Sequence, residues 1–218
     1  MFHLVTFIVG MQLIVSNAHQ RKAPFVSTNF MTSYRITKYN PQNRNEQGHY
    51  LDSSEWTAIS DIGKPEYNNV TYEEYEKTES AYVEAITSIM HDNNLNFVKV
   101  DSLELPGKKQ DFINYERTGR LKNINVDFEK EVKGLQNGLQ LDITKIEKII
   151  RLILRETINM LLVYDEFVIS FGYYYYMYVI AKNLKQSTIE KIQRAGLFVE
   201  SGIEQMKYII TDSDRNEI

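Results

Sequence analysis

The stretch that decides the fold is residues 141–182, which read LDITKIEKIIRLILRETINMLLVYDEFVISFGYYYYMYVIAK. Its first half repeats isoleucine at helical spacing, at positions 143, 146, 150 and 153, which is typical of a helix with one buried face. Thr144 followed by Glu147 fits a capping box at its start. We therefore expect a helix over about 143–162.

The second half of the stretch, residues 167–181, is rich in Phe, Val, Ile and Tyr, the residues that favour strands. Gly172 is the only break, so the pattern predicts either a tight hairpin at Gly172 or one long strand with a bulge. Both alternating sets of side chains are large, which indicates a strand covered on both faces. We therefore expect a single-domain α+β fold. A mixed or antiparallel sheet, with a Tyr-rich central strand or hairpin, would be packed by helices.

Capping boxes predict two further helices. Thr71 with Glu74 begins a helix over 72–91, and Ser187 with Glu190 begins one that ends at Gly196. The segment 55–63, which holds the only Trp, is expected to be either a strand or a lid over the core. Apolar and charge patterns predict short helices near 110–117 and 127–136, and strands at 34–39, 97–100, 197–200 and 206–210.

Residues 1–30 differ in composition from the rest, so we assign them to an appendage and residues 31–218 to one domain. Residues 4–15 resemble the apolar core of a signal peptide, and residues 16–18, Ser-Asn-Ala, resemble a cleavage site. No Lys or Arg precedes that run, which fits instead a true start at Met31 or an unstructured extension. The expected location is the cytoplasm, or outside the cell if residues 1–18 act as a signal peptide. A secreted structural or adhesion domain would require that cleavage.

Charge and composition narrow the function classes. The net charge is 25 − 29 = −4, and residues 31–218 carry 23 − 29 = −6 because residues 1–30 hold two basic residues and no acid. This balance argues against a nucleic-acid partner and favours a basic protein partner. The uncharged run 167–181 is too short to span a membrane, which needs ~20 residues in a helix. The absence of cysteine excludes disulfides, thiol nucleophiles and cysteine-ligated metals.

No pattern of catalytic residues is found. The four histidines have no metal-ligand spacing, and the glycines form no phosphate-binding motif. Four acids could supply paired carboxylates for acid–base chemistry, although no spacing brings any two together: Glu55, Asp61, Asp101 and Glu104. We therefore expect no catalytic residue, no metal and no cofactor.

Arg151 and Arg155 lie one helical turn apart and form the densest charge cluster beside the predicted core. Such a pair either clamps a phosphate or carboxylate, or lies on a solvated or ion-paired helix face. The first reading gives an alternative function, an enzyme acting on a phosphorylated or nucleotide substrate. Glu156 or Asp165 would then act as its acid–base.

Four segments together resemble a small bacterial family of immunity proteins from polymorphic or contact-dependent toxin systems: YRITKYNP (34–41), EWTAISDIG (55–63), RLILRE (151–156) and FGYYYYMY (171–178). The resemblance extends over about 34–200, and the family starts close to Met31. It implies a non-enzymatic protein that neutralises a toxin domain, and it brings no catalytic residues. The family has an acidic residue where this chain has Tyr174.

Combining the resemblance with the negative charge, we expect the partner to be a basic, nuclease-type toxin domain. Aromatic residues that bury large areas, together with acids, are the side chains expected at such an interface. The candidate contact residues are Trp56, Asp61, Asp165, Glu166, Tyr173 and Tyr174.

Overall fold

A computed structural model describes residues 31–105, 120, 122, 128–182 and 184–203 of the chain. Within this part, seven strands form one sheet in the order β3-β2-β4-β5-β6-β1-β7, with every neighbouring pair antiparallel. The strands are β1 Thr32–Thr37, β2 Phe97–Glu104, β3 Gln140–Asp142, β4 Asn159–Tyr164, β5 Phe167–Phe171, β6 Met177–Ala181 and β7 Phe198–Ser201. The helices are α1 Tyr72–Asp92, α2 Phe128–Lys133, α3 Ile143–Leu154 and α4 Gln186–Arg194. The expected α+β fold is confirmed.

Several expectations fall outside the described residues. These are the appendage 1–30, the short helix near 110–117 and the strand at 206–210. Among the described residues, no helix combines the length and the apolar content that crossing a membrane requires.

The predicted helix over 143–162 was wrong in its second half, because α3 ends at Leu154. Glu156 adopts a left-handed conformation (φ 57°). Its N–H donates to the Ile153 carbonyl (2.9 Å) and the Thr157 N–H donates to the Leu152 carbonyl (3.1 Å). This is the Schellman pattern that closes a helix. The chain then turns back and enters the sheet as β4.

Helix starts were predicted with mixed success. At α1 the capping box of Thr71 and Glu74 is confirmed. At α3 the cap is Asp142, whose carboxylate accepts from the backbone N–H groups of Thr144 and Lys145 (both 3.0 Å), so the expected box starting at Thr144 is not formed. At α4 no side chain caps the first turn, because the helix begins two residues too early for Ser187 to be its N-cap residue.

The hairpin alternative at Gly172 is confirmed, since β5 and β6 pair as antiparallel neighbours and the Gly172 N–H donates to the Tyr176 carbonyl (2.7 Å). The Tyr run is therefore not one continuous strand. Residues Tyr173–Tyr175 form an irregular turn at the tip of the hairpin, with non-helical backbone angles at Tyr174, and β6 begins only at Met177. The expectation that this whole run is covered on both faces of a sheet was wrong for that reason.

The core lies between one face of the sheet and the helices. Alternate strand residues such as Ile36, Leu162 and Val179 are fully buried and pack in one cluster with Tyr82 and Ile150 from α1 and α3. A seven-stranded antiparallel sheet with helices on one face is thus a two-layer arrangement. It places the C-terminal end of α3 next to the β5–β6 hairpin.

The segment 55–63 is not a strand. It contains a 3-10 turn, Ile59–Asp61, and contributes the buried side chains of Trp56 and Ile59 to the core cluster. The segment packs over the core, in agreement with the second of the two expectations.

On the opposite face of the sheet, Glu200 of β7 joins two arginines. Its carboxylate accepts two hydrogen bonds from Arg35 of β1 (both 2.7 Å) and two from Arg44 (2.6 and 3.1 Å). Burial alone would raise the pKa of Glu200, but the two guanidinium groups outweigh it and lower this pKa to about 2. The cluster fastens the edge strand and the loop after β1 to the sheet.

Candidate functional site

A groove of about 450 Å³ opens where α3 ends, between the last residues of β2 and the β5–β6 hairpin. This volume lies in the range of roughly 300–1,000 Å³ that is usual for ligand-binding clefts. We call it the Tyr174 groove and define it by those of its lining residues that the structure describes: Thr57, Glu104, Leu105, Ile153, Leu154, Glu156, Thr157, Ile158, Asn159, Phe171, Gly172, Tyr174 and Tyr175.

The groove has an apolar floor and a polar rim. Ile153, Ile158 and the ring of Tyr175 are buried at its base. The rim carries exposed polar side chains, Glu104, Glu156 and Asn159, and two exposed apolar ones, Leu105 and Tyr174. Such a combination allows an occupant to bury apolar surface while its polar groups meet charge at the edge.

Tyr174 is the most exposed aromatic side chain among the described large hydrophobic residues, at 54%. Its backbone is left-handed (φ 59°), and so is that of Tyr175 (φ 63°). For residues other than glycine this conformation costs about 1–3 kcal/mol each, and such residues concentrate at binding and catalytic sites. The surrounding structure therefore has to hold the turn in place.

Tyr175 supplies that support. Its hydroxyl lies 2.9 Å from the Leu154 carbonyl oxygen and 2.8 Å from the Tyr75 hydroxyl. Its ring packs edge-on against Trp56 (5.1 Å between centroids), and its carbonyl accepts from the Tyr82 hydroxyl. Burial raises the pKa of Tyr175 well above its usual value, so the hydroxyl stays protonated. Tyr174 is thereby presented to solvent from a rigid base.

Below the groove lies a buried ion pair. Glu79 of α1 is 0% exposed and Arg155 is 1% exposed. The Arg155 Nε and Nη2 atoms donate to the two carboxylate oxygens of Glu79 (2.5 and 2.8 Å), and Arg151 Nη1 donates to one of them (2.6 Å). The Nη1 atom of Arg155 also donates to two backbone carbonyls, those of Arg120 (3.2 Å) and Lys122 (2.5 Å). Burial alone would lower the pKa of Arg155, but its bonds to Glu79 outweigh this and raise it.

This arrangement argues against the alternative in which Arg151 and Arg155 clamp an anion. The two arginines do converge, but on Glu79, and all three guanidinium nitrogens of Arg155 donate to protein acceptors. Arg151 additionally pairs with Glu147 (3.2 Å). A phosphate would have to displace a buried carboxylate to be bound here, so the pair is built as a structural ion pair.

Two of the expected contact residues are buried and not displayed. Trp56 is 8% exposed, packs on Tyr75 (5.4 Å between centroids) and is covered by the Lys38 ammonium, 4.0 Å from its ring centroid. Asp61 is also buried and accepts hydrogen bonds from Thr57 N (2.9 Å), Ala58 N (3.0 Å) and Lys64 Nζ (3.0 Å). Both expectations are corrected: these side chains stabilise the 55–63 segment.

The remaining contact candidates separate into two places. Tyr173 and Tyr174 lie in the turn at one end of β5, whereas Asp165 and Glu166 are exposed in the turn at its other end. A strand of five residues is about 16 Å long, so the acids and the tyrosines do not form one contiguous patch. The acids that accompany Tyr174 are Glu104 and Glu156.

Sequence reasoning missed Leu105 and Asn159 as parts of a site, and it did not connect Glu104 with Glu156. Antiparallel pairing of β2 with β4 places Glu104 opposite Asn159, with their side chains 3.4 Å apart. The signal that could have found this edge is the polar break Arg155-Glu156-Thr157 between two apolar runs.

Comparison of the chain with family models, with curated proteins and with solved structures finds no match. Among the described residues, no three His, Asp or Glu side chains come together where they could hold a metal ion. The Tyr174 groove is the candidate functional site in the described part of the chain.

Proposed function

We propose that this chain is a non-enzymatic binding protein of the immunity type, which neutralises a basic, nuclease-type toxin domain by direct contact through the Tyr174 groove. The observation that carries the proposal is the exposed ring of Tyr174, held by a strained and well-supported turn at a groove that Glu104 and Glu156 also line. The resemblance of four segments to immunity proteins agrees with it.

The apolar part of the groove supports a protein partner. Tyr and Trp dominate the energetics of protein interfaces because they bury a large area with few rotatable bonds. Leu105, which is also exposed, extends the apolar surface beside Tyr174. Because Tyr175 already fixes the turn, little conformational entropy is lost when the partner binds.

The charge supports a basic partner. The net charge of residues 31–218 is 23 − 29 = −6, and the rim of the groove carries Glu104 and Glu156. Complementary charge accelerates association and orients the partner before the apolar contacts form. Nucleases that bind phosphates present basic surfaces of this kind.

The proposal places the chain in the cytoplasm, where a nuclease toxin would meet its nucleic acid. Mass spectrometry of the mature N-terminus tests this location. An intact residue 1 or a start at Met31 is expected, whereas cleavage after Ala18 would indicate export.

The functional test is protection of living cells. The toxin domain encoded beside this chain's gene is expressed with wild-type chain, with Tyr174→Ala, or with Leu51→Ala as a matched control. Leu51 is an apolar residue that is 64% exposed and does not line the groove. Wild type and Leu51→Ala should restore growth, and Tyr174→Ala should protect poorly. Equal killing with and without the wild-type chain would refute the proposed function.

A further inference from the structure

We infer that the Tyr174 groove receives an arginine side chain from the protein partner, with its guanidinium between Glu104 and Glu156 and against the ring of Tyr174. This inference rests on the proposed function and names the chemistry of the contact. The occupant is a cationic, planar group at the end of an apolar stem.

The charge of the rim calls for one cation. Glu104 and Glu156 contribute two negative charges, and Arg120 contributes one positive charge through its ion pair with Glu156 (Nη2 to Oε2, 3.0 Å). Counted over the described residues alone, these three groups leave a net charge of 1 − 2 = −1, which one monovalent cation balances. An anionic ligand such as a nucleotide would meet two carboxylates, and the guanidinium of Arg120 beside them is already paired with Glu156.

The side chains that line the groove favour arginine over lysine. A guanidinium group stacks on an aromatic face and donates to carboxylate and amide oxygens in one plane. Tyr174 supplies the ring, while Glu104 and Asn159 supply acceptors on adjacent strands. The apolar stem of arginine would pack along Phe171 and Ile158. A lysine ammonium offers a compact charge without the planar face.

The test uses defined probes and nuclear magnetic resonance of the full ¹⁵N-labelled chain. The probes are N-acetyl-arginine amide, the corresponding lysine amide, and N-acetyl-citrulline amide, which has nearly the shape of arginine without its charge. Arginine should shift the amide signals of Leu105, Glu156 and Tyr174. Citrulline should bind about tenfold more weakly because it lacks the charge-assisted bonds, and lysine should fall between the two.

Variants locate the interaction. The double variant Glu104→Gln/Glu156→Gln should weaken arginine binding about fivefold or more. The control Glu46→Gln, an exposed carboxylate in the loop after β1, should leave binding unchanged. Thermal unfolding monitored by circular dichroism verifies that each variant is folded. Equal binding of citrulline, shifts confined to another surface, or no shifts at all would overturn the inference.

The two proposals fail in different ways. If the chain protects cells but arginine does not bind in the groove, the inference is wrong and the proposed function stands. If arginine binds in the groove but no protection is seen, the immunity function is wrong and the side-chain receptor remains.

Discussion

Glu79 of α1 and Arg155, the residue that follows α3, form a two-point ion pair from which solvent is excluded. The pair joins α1, the longest of the described helices, to the point where the central stretch of sequence turns from helix to sheet. Tyr75 extends it, since its hydroxyl donates to Glu79 (3.4 Å) and lies 2.8 Å from that of Tyr175. A buried polar network is therefore connected to the groove through Tyr175, which lines it.

Breaking this pair should be strongly destabilising. Glu79→Ala leaves the Arg155 charge buried without a counter-charge, and such losses cost about 3–5 kcal/mol. Chemical unfolding in urea measures the change. Glu147→Gln is the matched control, because Glu147 meets Arg151 at an exposed position, where an ion pair contributes about 0–1 kcal/mol. Equal stability of the Glu79→Ala variant and wild type would contradict the assigned role.

Glu200 should make the free energy of unfolding depend on pH in the acidic range. Its folded pKa, about 2, lies below the ordinary value of 4.5, so its contribution is fully present above about pH 4.5 and is lost as the pH falls towards 2. Allowing for partial solvent screening, the contribution is on the order of 2 kcal/mol. The free energy of unfolding of wild type and Glu200→Gln is measured from pH 7 downwards. The difference between them should shrink below pH 5, and a constant difference would exclude the effect.

Lys38 should make the free energy of unfolding depend on pH in the alkaline range. Burial lowers its pKa from 10.5 to about 8, although Glu55 partly opposes this. At pH values between these two pKa values the unfolded chain binds more protons than the folded chain does. The free energy of unfolding should therefore rise as the pH increases from 8 to 10.5. Lys38→Met removes the titrating group and should flatten this rise, by about 2 kcal/mol over the interval. Parallel pH profiles of the two proteins would show that Lys38 is not the cause.

Glu156 should be a position where glycine stabilises. Its left-handed backbone follows from closing α3, and glycine adopts this conformation without the steric cost of a side chain. Compared with Glu156→Gln, Glu156→Gly should increase the free energy of unfolding by about 1 kcal/mol. Using glutamine as the reference removes the loss of the Arg120 ion pair from the comparison. A less stable glycine variant would mean that the turn is not strained.

Local signals predicted what depends on local structure. The capping box at Thr71 and the spacing of apolar residues gave α1 nearly to the residue, and Gly172 marked the hairpin between β5 and β6. The end of α3 could not be read in this way, because a Schellman closure usually has glycine where this chain has Glu156. The apolar run around Met160 fits a helix and a strand equally well, so tertiary pairing with β2 decided the outcome.

The site was harder to predict than the fold for a similar reason. Tyr174 could be selected from composition, since a run of tyrosines contains more rings than one sheet face can bury. The partners of Arg155 could not be predicted from the sequence, because Glu79 lies 76 residues away in the chain. The same is true of Trp56, whose burial depends on rings from α1 and the hairpin.

The most direct test of the central claim is the affinity of this chain for the toxin domain that the proposed function predicts beside its gene. Isothermal titration calorimetry measures this affinity with wild type, Tyr174→Ala and Leu51→Ala. A one-to-one complex is expected. Tyr174→Ala should bind about tenfold or more weakly, as expected for a central aromatic contact, and Leu51→Ala should bind like wild type. A complex whose affinity is unchanged by Tyr174→Ala, or the absence of any complex with the wild-type chain, would contradict the account.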